Sequence, residues 1–535
     1  MGRIEGNRMY AVSFIFTGNI DQSNIPPVER FVNRKKINPM KTYHQNRGLL
    51  EVAVRLSKFA SAALVGFALL ATTLDAEAQT VAVVRSFESN GLSAYPLYVT
   101  LTQGRDGNLY GTTLGTTLDF GSVFRLQANG ALINLYSFSG TTQQGSAPGA
   151  GLTLGSDGNF YGTTTFGGSI NNGILFRITP AGVFTVLHDF EGGSDGGFPE
   201  APPIQASDGN FYGTTIGSPN STVYKYTPAG NFSTVYQFDG TDGQSIQDAL
   251  IQGTDGNLYG STYSGGTNSC GTIFKMTRSG TILFSYSFPC GARGAGPIAG
   301  LVQASDGNFY GTTSSGGTSA LGTVFKMTTR GAVSILHSFQ GGSSDGATPA
   351  SGLVQGTDGN LYGSTVYGGS ENMGTLFKIT TTGSCSMLYS FVSSVGTYPQ
   401  GGLTQDTTGQ FYGTAQEGGA GNAGSVFSLN MALSPFVTFV RPTGGVTGTA
   451  QILGQGLTGT TAVTFKGVAA TSFKVLSDTY LTAVIPVGAV TGLVQVTTPA
   501  GTLTSNRNFQ IIAGTSNSVR QQPKQPISHA AKKTN

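Results

Sequence analysis

From about residue 80 to residue 430 the chain alternates short apolar-rich runs with clusters of Gly, Ser, Thr, Asn and Asp, and the same runs return every 47 to 52 residues. In the fifth period the runs are 300–305 (GLVQAS), 308–313 (NFYGTT), 322–328 (GTVFKMT) and 333–339 (VSILHSF). Runs of this length, rich in β-branched and aromatic residues and bounded by turn formers, read as strands. Phe309 and Tyr310 are adjacent, so in a strand they face opposite sides, and both sides of such a sheet must be covered. Asp306-Gly307 between the first two runs predicts a tight hairpin of type I′, with both central residues at positive φ. Gly331, between the third and fourth, supplies a left-handed position for another turn.

The period is marked by Asp-Gly-Asn-(Phe/Leu)-Tyr-Gly, starting at Asp106, Asp157, Asp208, Asp255, Asp306 and Asp358, with a degenerate seventh copy at Thr408-Gly409-Gln410-Phe411-Tyr412-Gly413. Four antiparallel strands per ~50 residues is the signature of a propeller blade. The ends agree with that reading. The third-strand pattern occurs seven times, the last at 424–429, with no fourth strand after it. The fourth-strand pattern also occurs seven times, but its first copy, 81–87 (VAVVRSF), precedes the first period. That orphan strand fits the vacancy in the last sheet and would remove both exposed edges. The expected fold is all-β: a seven-bladed β-propeller over 79–430.

From Pro435 a different pattern takes over, with short alternating strands and Gly/Pro turns every 8–12 residues. It reads as an immunoglobulin-like β-sandwich. Upstream, Arg55 and Lys58 precede an apolar run at 59–74 and the small-x-small triplet Ala76-Glu77-Ala78. This is the layout of a secretory signal peptide, and the run is short for a membrane span. Residues 1–78 are therefore expected to be an N-terminal extension and signal peptide, with Met40 a natural start. The polar tail 512–535 is expected to be disordered.

Composition narrows the function classes. Of 29 Lys/Arg and 26 Asp/Glu, 10 and 6 lie in 1–78, leaving 19 basic and 20 acidic residues in 79–535. A near-neutral body offers no steering toward polyanions, so nucleic acid is not an expected partner. Trp is absent, which weakens a sugar-stacking platform, although Tyr can serve.

Candidate chemistry is sparse. The repeated Asp occurs six times where a catalytic residue is needed once, and Asp-Gly-Asn lacks the alternating carboxylates of a calcium loop. The six are read as turn residues. His188 and His337 occupy a fourth-strand position that elsewhere holds Tyr or Arg, so no metal site, cofactor or catalytic residue is assigned. Cys270 and Cys290 flank a third and fourth strand symmetrically, which would bring them together; in an exported chain they are expected to form a disulfide, leaving Cys385 free. The loops between second and third strands (166–172, 263–270, 366–373) and between sheets (191–199, 239–248, 340–349) differ in every repeat. Strand alternation puts both sets at the end opposite the Asp-Gly-Asn turns. Phe166, Tyr263 and Tyr367 are the ligand-binding candidates there, with packing between loops as the plainer alternative. Glu200, Asp242, Asp248 and Glu417 are the few acids at that end, with no pairing visible in sequence.

Repeats such as SDGNFYGTTSSGG…GTVFKMT…LHSF resemble the GloVer-type (Gloeobacter/Verrucomicrobia) tandem repeat of exported bacterial proteins, over 81–429. Gly454-x-Gly456-Leu457, Val463-x-Phe465-x-Gly467 and Ile485-Pro486 resemble an IPT/TIG domain over 434–511. The first resemblance implies a secreted, periplasmic or cell-surface repeat protein. The second implies a spacer or docking module. Together they favour a monomeric, non-catalytic binding or adhesion scaffold for an extracellular protein or glycan, with no transmembrane segment in the mature chain. The alternative is a propeller enzyme, a lyase or glycoside hydrolase, acting on an extracellular substrate.

Overall fold

In the computed structural model, residues 79–88, 94–115, 120–140, 144–217 and 220–512 are described. The expected signal peptide and most of the expected tail lie outside them. Ile512 ends the strand Gln510–Ile512, so the last domain runs one residue into the segment expected as tail.

Among the described residues the repeats form seven four-stranded antiparallel sheets. In sheet five the strands are Val302–Gln303, Phe309–Thr313, Thr323–Met327 and Val333–Ser338. The first strand has only two paired residues, fewer than its apolar run suggested. The second strand is buried throughout, Phe309 and Tyr310 included. Sheet seven is completed from the other end of the repeats: Thr80–Glu88 pairs antiparallel with Asn422–Asn430, Val81 opposite Leu429 and Val83 opposite Phe427.

The hairpin at each Asp-Gly-Asn differs from the expected type I′ turn. Only the glycine has positive φ, +81° at Gly307, while the Asp does not. Gly307 N–H donates to Ala304 O and Ala304 N–H to Asn308 O, a three-residue loop in which a type I turn ends in a left-handed glycine. The Asp sits inside the turn, where its carboxylate can reach forward.

Consecutive sheets are joined in two repeating ways. The Phe ending each fourth strand meets, edge to face, an aromatic of the next sheet's third strand, as Phe138 meets Phe176 at 5.6 Å and Phe339 meets Phe377 at 5.2 Å. The seventh such pair is Phe87 with Phe124 at 5.7 Å, joining the last sheet to the first. Around it Ala423 and Val426 of sheet seven share one apolar cluster with Leu101, Leu109 and Leu126 of sheet one. The second link is a ladder of glutamines. Gln252, Gln303, Gln355 and Gln405 each accept a hydrogen bond from the backbone N–H two residues before the Asp-Gly glycine of the preceding sheet.

Residues 438–512 contribute two four-stranded sheets and a parallel two-stranded pair around their own core, which includes Phe439, Ile452, Phe465, Leu481, Val496 and Phe509. This segment contacts the Asp-Gly-Asn end of the first two sheets. There the glutamine ladder is interrupted: Leu154 replaces Gln, and Arg105 stands where other repeats have Ser or Thr. Arg105 donates to Gln451 Oε1 at 2.9 Å and lies over the Tyr480 ring at 4.7 Å, while Thr479 Oγ1 donates to Arg105 O at 2.6 Å. Leu154, Leu453 and Tyr480 belong to one buried cluster. The two departures from the repeat thus form a docking surface.

Candidate functional site

The loops that vary between repeats do share one end of the sheets. Ser146 bridges to Phe166, Gln244 to Ser264 and Thr397 to Glu417, and Gly346–Ala347 pairs with Tyr367–Gly368, so in these sheets the second-to-third loop is tied to the preceding intersheet loop. Phe166, Tyr263 and Tyr367 are 43%, 42% and 43% exposed. One side of each ring is nonetheless packed. Phe166 meets Phe198 at 5.8 Å and Tyr367 meets Tyr398 at 5.6 Å. Tyr263 lies against Gly296, where a Cβ would stand 2.9 Å from the ring. The packing expectation therefore holds for one side of each ring, and the other side is exposed.

Tyr98 was not singled out by sequence. The first repeat has eleven residues from Tyr95, the residue before its proline, to the Asp, where the next has ten from Ala147. Tyr98 lies in that lengthened stretch, at φ +54°, a conformation that strains a bulky residue. It is 43% exposed. Burial of its hydroxyl, then the charges of Glu200, Tyr263 and Tyr367, push its phenol up, which places these four side chains within electrostatic reach of one another.

The acids at this end differ in their ties. Asp242 accepts from the Tyr236 hydroxyl and from Asp239 N–H, a structural role. Glu417 is exposed. Asp248 accepts from Gly300 N–H at 2.5 Å and Ala249 N–H at 2.6 Å, and burial pushes its carboxyl up against those bonds. The Glu200 side chain has no hydrogen-bond partner among the described residues, and burial pushes it up to about 7.

Most other marked groups are structural. Asp306 accepts from Asn308 N–H, Asn308 Nδ2, the Tyr310 hydroxyl at 2.7 Å and Lys326 Nζ at 3.1 Å. Burial alone would raise it, but these bonds outweigh burial and hold it at about 2. The same Asp–Tyr bond recurs at Asp106, Asp157, Asp208, Asp255 and Asp358. Cys270 and Cys290 are disulfide-bonded with Cα atoms 5.6 Å apart, and Cys385 is free and half-buried. His337 is held at about 9 by its hydrogen bond to Asp345, at 3.2 Å, and by the neighbouring Cys385 thiol. No group of three or more His, Cys, Asp or Glu among the described residues could hold a metal ion, and no helix there is long and apolar enough to cross a membrane.

The model of the Gloeobacter/Verrucomicrobia repeat matches residues 70–269 and 247–475. This chain belongs to that repeat family. The match takes in every repeat and enters the C-terminal segment of this Gloeobacter/Verrucomicrobia repeat protein. A search of curated proteins finds no match. Among solved structures the chain is similar to the periplasmic gluconolactonase of Pseudomonas aeruginosa (16% identity, 58% of this chain and 91% of that one, TM-score 0.38). It is also similar to a gluconolactonase of Xanthomonas campestris (13%, 67% and 92%, TM-score 0.34) and to a protein from Lactobacillus plantarum (17%, 56% and 86%, TM-score 0.37). Likenesses this distant say nothing about activity.

Proposed function

We propose that this repeat protein is an exported, non-catalytic scaffold that binds an extracellular partner through the variable loops of a seven-bladed propeller, and that 434–511 is an immunoglobulin-like IPT/TIG module. The propeller reading is supported by the seven four-stranded sheets and by the contacts of sheet seven with sheet one. The observation that carries the binding reading is the asymmetry of the two ends. The Asp-Gly-Asn end of the first two sheets is covered by the chain's own C-terminal segment. The opposite end presents five partly exposed aromatics, Tyr98, Phe120, Phe166, Tyr263 and Tyr367, on loops that differ from repeat to repeat. Rigid aromatics on variable loops are the usual means of recognition on an invariant frame.

The second reading, a lyase or glycoside hydrolase, has one observation in its favour. Glu200 and Asp248, from consecutive sheets, are both carboxyls pushed upward by burial, as an acid catalyst requires. Against it, Asp248 is already engaged by two backbone N–H groups. The two readings separate in one experiment. Full-length protein is screened on immobilised glycans and extracellular proteins, and each retained ligand is incubated and checked for cleavage. Retention without turnover, weakened by Tyr263→Ala, supports the scaffold. Turnover abolished by Glu200→Gln at unchanged retention supports the enzyme.

A further inference from the structure

One cysteine takes a place that neighbouring repeats give to an apolar residue. Cys385 opens the fourth strand of sheet six, Cys385–Ser390, opposite Ile379 of the third. The same register position holds Phe184, Phe232, Ile282 and Val333 in sheets two to five. Two of these cover a ring of the preceding sheet: Phe184 stacks on Tyr136 at 4.0 Å, and Phe232 on His188 at 3.5 Å. The ring that Cys385 meets is His337. A Cβ on Gly383 would stand 3.1 Å from Leu336 O, as one on Gly182 would stand 2.8 Å from Leu135 O. Sheets five and six thus meet as sheets one and two do, which sets Cys385 against His337 where Phe184 lies against Tyr136.

Within sheet five His337 Nε2 lies 3.2 Å from Asp345 Oδ2. The Asp345 carboxylate is itself fixed, accepting from the N–H groups of Gln340 and Gly346, both at 2.8 Å. A free thiol, an imidazole and a fixed carboxylate therefore stand in series, the arrangement that activates a nucleophile. Asp345, then Cys385, are the titratable groups that act on the imidazole; they hold it at about 9 against burial, so it carries a proton at neutral pH. A thiol beside an imidazolium gains thiolate character, and the thiolate is the form that attacks a disulfide. The trio is reachable. His337 and Asp345 keep 23% and 18% of their side-chain surface exposed, and Cys385 is half-buried on the edge strand of its sheet. The molecule holds its own control, since His188 has the same tie to Asp195, at 3.0 Å, with Phe232 over its ring in place of a thiol.

We propose that Cys385, with His337 and Asp345 as positioning residues, is a nucleophilic thiol that captures a small disulfide as a mixed disulfide. The thiol proton passes to water, and the thiolate attacks one sulfur of the disulfide. The new Cys385 Sγ–S bond forms as the old S–S bond breaks, and the departing thiolate takes up a proton. Cys385 is oxidised and the leaving sulfur reduced, the disulfide being the oxidant. The proposal stands apart from loop-end binding. The test mixes the full chain, its Cys385 thiol free, with excess oxidised glutathione at about pH 6 and about pH 10, and times the adduct by intact mass. One adduct is expected, absent in Cys385→Ser. At the lower pH it should form roughly tenfold more slowly in His337→Gln, and the gap should close at the higher pH, where the imidazole is neutral and any thiol ionised. Asp345→Asn, which keeps the imidazole and the shape of the carboxyl, should slow it in the same direction and serves if His337→Gln unfolds. His188→Gln should change the rate less than twofold. No adduct, an adduct elsewhere than Cys385, a His337→Gln effect equal at both pH values, or equal slowing by His188→Gln would overturn the proposal.

Discussion

Gln103 and Thr407, 304 residues apart, exchange two hydrogen bonds: Thr407 N–H donates to Gln103 Oε1 at 3.1 Å, and Gln103 Nε2 donates to Thr407 Oγ1 at 3.0 Å. Gln252 and Ser207, from consecutive sheets, make the same exchange. The pair between sheet seven and sheet one is therefore one more step of the ladder that joins neighbours elsewhere. Both residues are buried, so removing one leaves a buried donor or acceptor unmatched. Gln103→Leu is expected to lower unfolding stability by about 1–3 kcal/mol in urea titrations. Leucine fits this position in sheet two, at Leu154, so poor fit is not the cause. A neutral Gln103→Leu would show that sheets one and seven are not held together this way.

Asp306→Ala should cost stability without touching recognition. It removes the acceptor for Asn308, Tyr310 and Lys326 and leaves the Tyr310 hydroxyl unpaired, for an expected loss of about 1–3 kcal/mol. Because the folded carboxyl sits at about 2 rather than its ordinary 3.8, its contribution is present above 3.8 and disappears as pH falls through 2. The stability gap between wild type and variant should therefore close in acid melts. A gap that persists at about pH 2 would assign the loss to turn geometry instead of charge.

How much of this was legible in the sequence differs by feature. The seven sheets and the pairing of Thr80–Glu88 with Asn422–Asn430 followed from counting strand patterns, since each pattern is local and repeated. The hairpin type was not: Asp-Gly fits a two-residue loop, and only the hydrogen bond from Gly307 to Ala304 shows that the loop has three. Glu200 and Asp248 were visible as loop-end acids, but their burial depends on how consecutive sheets meet. Arg105 and Leu154 could have been read as a docking surface, because both break the repeat at the same step, and so could Tyr98, from the lengthened first repeat.

The cysteines give a direct chemical check. Alkylation of protein purified under oxidising conditions should block one thiol per chain, at Cys385. Cys270→Ser with Cys290→Ser should lower stability by up to about 3 kcal/mol, the loop-closure value for a separation of 20 residues. Three blocked cysteines would contradict the bridge.

Glu200 makes the site readable by pH. Its folded pKa of about 7 lies above its ordinary 4.5, so the folded state holds the proton more tightly. Its favourable contribution is complete below 4.5 and is lost as pH rises through 7. Relative to wild type, Glu200→Gln should be near-neutral at about pH 5 and stabilising by roughly 1–3 kcal/mol at about pH 8. A difference that does not change with pH would mean that the carboxyl is not buried.

Hydrogen–deuterium exchange of the full chain tests loop-end recognition most directly, because it reports which backbone becomes protected when a ligand retained in the screen is bound. Protection is expected in 94–100, 197–203, 244–250, 263–270 and 366–373, with the Asp-Gly-Asn turns and 434–511 unchanged. Protection confined to those turns or to 434–511, with the loops unaffected, would contradict it.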